Sequence, residues 1–252
     1  MKKLAIVVAA LCVGVLLAES PAALRRRRAT ETHEQMMQRT GGMVVIRSNG
    51  PAFRFVNAQK SVKSDDLKTV PETIERILSL PIMLEEGTIA DPMKEAVKFL
   101  DKKTAACVFL CECEGMPSLL VAPEARWGAV NVLALKADSP SAEVLASRVR
   151  KEMWRAFAYV MGAAHSSFPG CLMTTVTSLA ELDAVKAETV SPEPLQKITQ
   201  HAGQLGMTRN RVGTYKRACA EGWAPPPENE WQRKIAEEVK KAEDAKKADE
   251  KK

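Results

Sequence analysis

Between Ser139 and Ala164 the chain carries a pattern with one structural solution. Leu145, Val149, Met153, Ala156, Phe157, Val160, Met161 and Ala164 recur at intervals of three and four. That recurrence places them on one broad apolar stripe of an α-helix. Ser139-Pro140-Ser141 supplies the N-cap, so a long helix is predicted over about 142–164. A stripe this wide needs cover, and the upstream segment supplies it. AACVFLCECEG over 105–115 is a β-run that starts almost wholly apolar, as an interior strand does. SLLVA over 118–122 and AVNVLAL over 129–135 read as two further strands.

The remaining elements are shorter. MVVIR (43–47) and FRFVN (53–57) flank Asn49-Gly50, a hairpin signal, so these two runs are expected to pair with each other. Asp65 and Asp66 are expected to cap a helix through Leu80, with Val70, Ile74, Ile77 and Leu78 on one face and Pro81 as its stop. Asp91-Pro92 opens a second helix to Asp101, with Met93, Val97 and Leu100 on its apolar side. After a turn at 166–170, helices are expected over 178–188 and 192–205, then a helical turn over 215–221 and an extended GWAPPP. The order defines an α+β fold: a twisted mixed sheet with helices packed on it.

The ends are not core material. Residues 1–18 have a basic start and then an apolar run closing on small residues, which is the pattern of a secretory signal peptide cleaved near Ala18. The alternative is a retained membrane anchor. Residues 19–40 form a basic leader containing Arg25–Arg28, residues 41–227 the folded domain, and residues 228–252 a charged tail, helical or disordered. An exported chain resides in a periplasm or outside the cell. The net charge of +6 comes with no glycine- or aromatic-interleaved basic patch, so no nucleic-acid partner is expected. A membrane partner is expected only if the N-terminal helix is retained. Export leaves Cys107, Cys111, Cys113, Cys171 and Cys219, an odd number, so at least one stays unpaired. Cys107, Cys111 and Cys113 share one face of their strand, and a Cys171–Cys219 disulfide stays open.

The long helix also carries the chemistry. A zinc-peptidase helix needs two imidazoles four residues apart, so that both face one metal, and a glutamate beside the first as general base. The metal lowers the pKa of its water from about 16 to near 7. Here Glu152 stands in the glutamate's place, flanked by Lys151 and Arg155 where the histidines belong. Arginine has no lone pair to give a metal, and lysine ligates only when neutral. No zinc or other cofactor is therefore expected.

KEMWRAFAYVMGAAHSSFPGCLM followed by VTSLAELD nonetheless resembles the archaemetzincin branch of the metzincins, with its HExxHxxGxxH, a following Cys-x-Met and a Ser-Leu-Glu-like helix start. The resemblance spans about residues 100–195. It implies a zincin-like fold in which 142–164 is a former active-site helix. Lys151 then takes the first ligand's position, Glu152 the base's and Arg155 the second ligand's. With a four-residue insertion, Gly162 and His165 match the end of the motif; without one, Ala158 and Met161 fall there. Pro169, Cys171 and Met173 match the segment after the helix, Met173 as the methionine of the turn. The family's first cysteine of that pair and its later CxxC have no counterpart.

The chain thus reads as an inactive metallopeptidase homologue, a pseudoenzyme, with no catalytic residues. Its binding cleft is drawn from Lys151, Glu152, Arg155, His165, Cys171 and Met173, and suits an extended or acidic peptide or protein laid along the strand at 129–135. Two rivals stay open: an active peptidase with unconventional ligands, and a structural envelope-associated protein. Plainer roles also stand beside these. Glu152 pairs along the helix with Arg155 or Arg148, and His165 suits the negative end of the helix dipole. A Cys171–His165 nucleophile lacks a third, orienting residue.

Overall fold

The computed structural model describes residues 32–249 other than 59, 88–90 and 169. The signal segment, the arginine block and Pro169 lie outside the described residues. In chain order the elements are α1 (His33–Thr40), β1 (Met43–Ile46), β2 (Ala52–Ala58), α2 (Ser64–Leu78), β3 (Ile82–Gly87), α3 (Pro92–Phe99), β4 (Thr104–Cys111), β5 (Leu119–Ala122), β6 (Trp127–Asn131), α4 (Val132–Leu135), α5 (Ala142–Val160), α6 (Leu179–Ala184), α7 (Pro192–Gln204), β7 (Arg211–Thr214), α8 (Tyr215–Ala220) and α9 (Glu230–Asp249). They divide into a unit from Ile46 to Arg211 and a second made of the segments up to Val45 and from Val212.

The larger unit is built on a five-stranded sheet in the order β3-β2-β4-β6-β5. β2 is parallel to β3 and β4, β4 is parallel to β6, and β5 runs antiparallel to β6 at the edge. This is the α+β, mixed-sheet architecture expected. β4 is buried at every position, which is why its sequence is apolar without alternation. One face of the sheet packs against α2 and α5: Phe53 and Phe55 of β2 meet Phe157 of α5, with Phe53 edge-on to Phe157 at 4.8 Å. Val149, Met153, Phe157 and Val160 are fully or almost fully buried, each contributing roughly 1.5–3 kcal/mol through burial. On the other face, Val56, Cys107, Phe109, Cys111 and Trp127 gather with Ala96 and Phe99 of α3.

The second unit has a smaller core of Val44, Tyr215, Ala218 and Ile235. Gln232 Nε2 donates to Gly41 O at 3.0 Å, and Tyr215 N–H to Gly42 O at 2.9 Å. The leader drawn to residue 40 includes α1, and the tail drawn from residue 228 includes α9. Among the described residues, no helix is long and apolar enough to cross a membrane.

Several expectations are corrected. β1 and β2 are not a hairpin: β1 pairs with β7, while β2 lies between β3 and β4. The hairpin turn needs positive φ at both central residues, and neither Asn49 nor Gly50 has it. The Ser48 N–H instead donates to Asn210 Oδ1 at 3.0 Å. The strand expected over 129–135 stops at Asn131. Its side chain accepts from Leu133 N–H and Cys113 N–H and donates to Cys113 O and Met116 O, so it caps α4 and ties down the loop before β5. Asp65 and Asp66 lie in the first turn of α2 and do not cap it. β3 was unforeseen, since IMLEEG is half polar; as an edge strand it needs few apolar positions.

Candidate functional site

α5 starts where Ser141 Oγ accepts from Val144 N–H at 3.3 Å. It stops at Val160, not at Ala164, because Gly162 adopts φ 79°. Ala163 N–H bonds to Ala158 O at 2.9 Å and Gly162 N–H to Tyr159 O at 3.0 Å, the Schellman arrangement that a left-handed glycine permits. The chain then folds back over the last turn of the helix. His165 Nδ1 comes within 2.9 Å of the Tyr159 hydroxyl, with the two rings 5.2 Å apart.

Residues 148, 152, 155 and 159 step along one side of α5. Glu152, Arg155, Tyr159 and His165 line a groove of about 770 Å³. Ser118, Leu119 and Val121 form one wall, and Val176 to Leu179 with Leu182 the other. The first wall is the edge strand. Asn131 N–H donates to Ser118 O at 2.9 Å, so the inward-bonded positions are 118, 120 and 122. The N–H and C=O of Leu119 and Val121 therefore turn to the open edge.

Two buried arginines on this helix have opposite surroundings. Arg148, 2% exposed, spends all of its donors. Nε and Nη2 reach Asp183 at 2.8 and 2.6 Å, Nη1 and Nη2 reach Asp138 at 2.6 and 2.7 Å, and Nη1 reaches Leu135 O at 2.9 Å. Hydrogen bonds from Arg148 hold both carboxyls below their ordinary range, against the opposing pull of burial. Arg155, whose side chain is 5% exposed, has one ion-pair partner, Glu152, Nε to Oε2 at 3.6 Å, and the Tyr159 hydroxyl beside it. The Glu152 contact is an ion pair but too long for a hydrogen bond. Arg155 Nε, Arg155 Nη1 and Glu152 Oε2 are buried and find no hydrogen-bond partner among the described residues. Burial pushes the Glu152 carboxyl up, only partly offset by Arg155.

The expected cleft residues are thus partly brought together. Glu152, Arg155 and His165 line the groove. Lys151 does not: its Nζ turns to the carbonyls of Leu182 at 2.8 Å and Asp183 at 3.4 Å, satisfying the C-terminal end of α6. Cys171 and Met173 are fully buried in the core beneath the loop. Cys171 Sγ accepts from Met173 N–H at 3.3 Å and Ser191 N–H at 3.2 Å. Burial pushes this thiol up, but the bonds from Ser191, Met173 and Ser166 outweigh it and hold it below its usual range. All five described cysteines are free thiols. The open edge is β5, not the strand at 129–135, because β6 is paired on both sides. Tyr159 was missed, although its spacing from Glu152 and Arg155 puts it on their face. Asp138 and Asp183 gave no sequence signal, because their bond to Arg148 joins distant segments.

A metal site needs several lone-pair donors converging on one point. Among the described residues, no group of three or more His, Cys, Asp or Glu is placed to hold a metal ion.

No family model matches the chain, and no curated relative does. Among solved structures it is similar to an archaemetzincin from Methanopyrus kandleri, at 16% identity and a TM-score of 0.49 over 64% of this chain and 99% of that one. It is also similar to a zinc-dependent peptidase from Methanocorpusculum labreanum, at 16% identity and a TM-score of 0.47 over 58% of this chain and 99% of that one.

Proposed function

We propose that the chain is an exported, non-catalytic binding domain whose groove takes an extended peptide along β5. The observation that carries this reading is the Glu152–Arg155 pair. A guanidinium stands where a peptidase would need an imidazole, and it is ion-paired to the carboxylate that would serve as base. A permanent cation repels a divalent ion and offers it no lone pair. The donors at the groove, one carboxylate and one imidazole beside this cation, do not fit a zinc ion. What the groove does offer is strand addition. The outward amide groups of Leu119 and Val121 can pair with an extended chain, while the groove beside them receives its alternate side chains.

The test is elemental analysis and peptidase assay on protein purified without added metal. Zinc well below one equivalent after dialysis is expected, with Glu152→Gln leaving any background hydrolysis unchanged. Stoichiometric zinc that survives dialysis, or hydrolysis abolished by Glu152→Gln, would overturn the reading.

A further inference from the structure

Arg155 is anomalous for a buried arginine. A desolvated guanidinium is ordinarily saturated with acceptors, as Arg148 is about two helical turns away, because each unpaired donor costs free energy. Arg155 leaves Nε and Nη1 unspent while facing the groove. Its one charged neighbour does not saturate it: Glu152 is 3.6 Å away and its own Oε2 also lacks a hydrogen-bond partner. The other polar groups at this end are Tyr159 and His165: the Tyr159 hydroxyl lies beside both Arg155 and His165 Nδ1 and leaves Arg155 Nε and Nη1 unpartnered and the imidazole Nε2 for another partner. The groove therefore ends in unused donors around one fixed cation.

We propose that this end of the groove is a carboxylate site, in which Arg155 binds the carboxylate of the ligand and His165 Nε2–H supplies a second donor. The assignment rests on the peptide-binding reading for the remainder of the ligand, but not for the carboxylate itself. A carboxylate completes the guanidinium through charge-assisted bonds, which a neutral amide forms less strongly. It can come from an acidic side chain within a peptide or from a peptide C-terminus.

The experiment is an NMR titration of the isotope-labelled full chain. The probes are sodium acetate, acetyl-Ala-Val-Glu-Val-Ala-amide, acetyl-Ala-Val-Gln-Val-Ala-amide, and acetyl-Ala-Val-Ala-Val-Ala with a free carboxylate. Acetate is expected to shift the Arg155 Nε–H resonance. At least one carboxylate peptide is expected to bind about tenfold or more tightly than the glutamine peptide. Which peptide gains identifies the source of the carboxylate. Arg155→Gln should erase the preference. Because that variant strands Glu152, the paired Glu152→Gln/Arg155→Gln variant, with both charges removed, is measured beside it. Equal binding of all three peptides with no acetate shift overturns the carboxylate site and leaves the peptide groove standing. An acetate shift with no peptide binding does the reverse. No response to any probe overturns both, whereas a preference that survives in the paired variant overturns the carboxylate site alone.

Discussion

At the scale of single residues, the carboxyls paired with α5's two arginines lie in opposite titration regimes. Asp138 and Asp183 are held below their ordinary 3.8 by Arg148. Their contribution to stability is therefore complete above 3.8 and is lost as pH falls through the lowered folded values. Glu152 is raised above 4.5, so its contribution is present below 4.5 and is lost as pH rises through the raised value. Urea unfolding across pH should separate the two. Arg148→Met is expected to flatten the acid limb and lower stability at neutral pH, by less than the loss of a fully buried pair because both carboxylates are partly solvated. Glu152→Gln should flatten the limb above 4.5 and leave the acid limb intact. A variant that shifts the other's limb would show the assignment to be wrong.

At the scale of elements, the decisive feature is that β5 is an edge. Its alternating bond pattern makes neighbouring positions inequivalent to proline. At Val121 the N–H faces outward, so Val121→Pro removes a donor that the sheet does not use. Leu120→Pro removes a ladder bond within the sheet. Calorimetry should show peptide binding lost in Val121→Pro with a small change in melting temperature. Leu120→Pro should instead destabilise the fold by about 1 kcal/mol or more. Retained binding in Val121→Pro would exclude strand addition as the mode of recognition.

At the scale of the whole molecule, the five described thiols report how the chain is buried. Cys107, Cys111 and Cys171 are buried, while Cys113 and Cys219 are partly exposed. Burial pushes the Cys107 thiol up to about 12. The Cys171 thiol is held low by its hydrogen bonds, but no reagent reaches a fully buried sulfur. A thiol reagent should therefore modify Cys113 and Cys219 in the native state and the other three only with unfolding, read by mass spectrometry. Rapid native modification of Cys171 would show that the 166–173 segment opens.

Local signals carried through to the structure wherever one segment settled its own state. The stripe of α5, the uninterrupted apolar run of β4, the proline at the start of α3 and the cap at Ser141 each hold within a few residues. Signals that depended on a distant partner did not. Asn49-Gly50 is a turn signal in isolation, yet β2 gains more by lying between two parallel strands than by pairing with β1. Gly162 looked like a motif position and is a helix stop.

The sequence by itself determined that α5 is a long helix with one apolar stripe, that β4 is a buried strand, and that Arg155 and Glu152 share one side of a single helix. These follow from spacing and from the chemistry of each side chain. Only the tertiary structure decided that Arg148 is saturated and Arg155 is not, that Lys151 turns away, and that β5 is the open edge. Those outcomes depend on which groups from remote segments arrive beside a side chain once water is excluded, and no spacing along the chain encodes that.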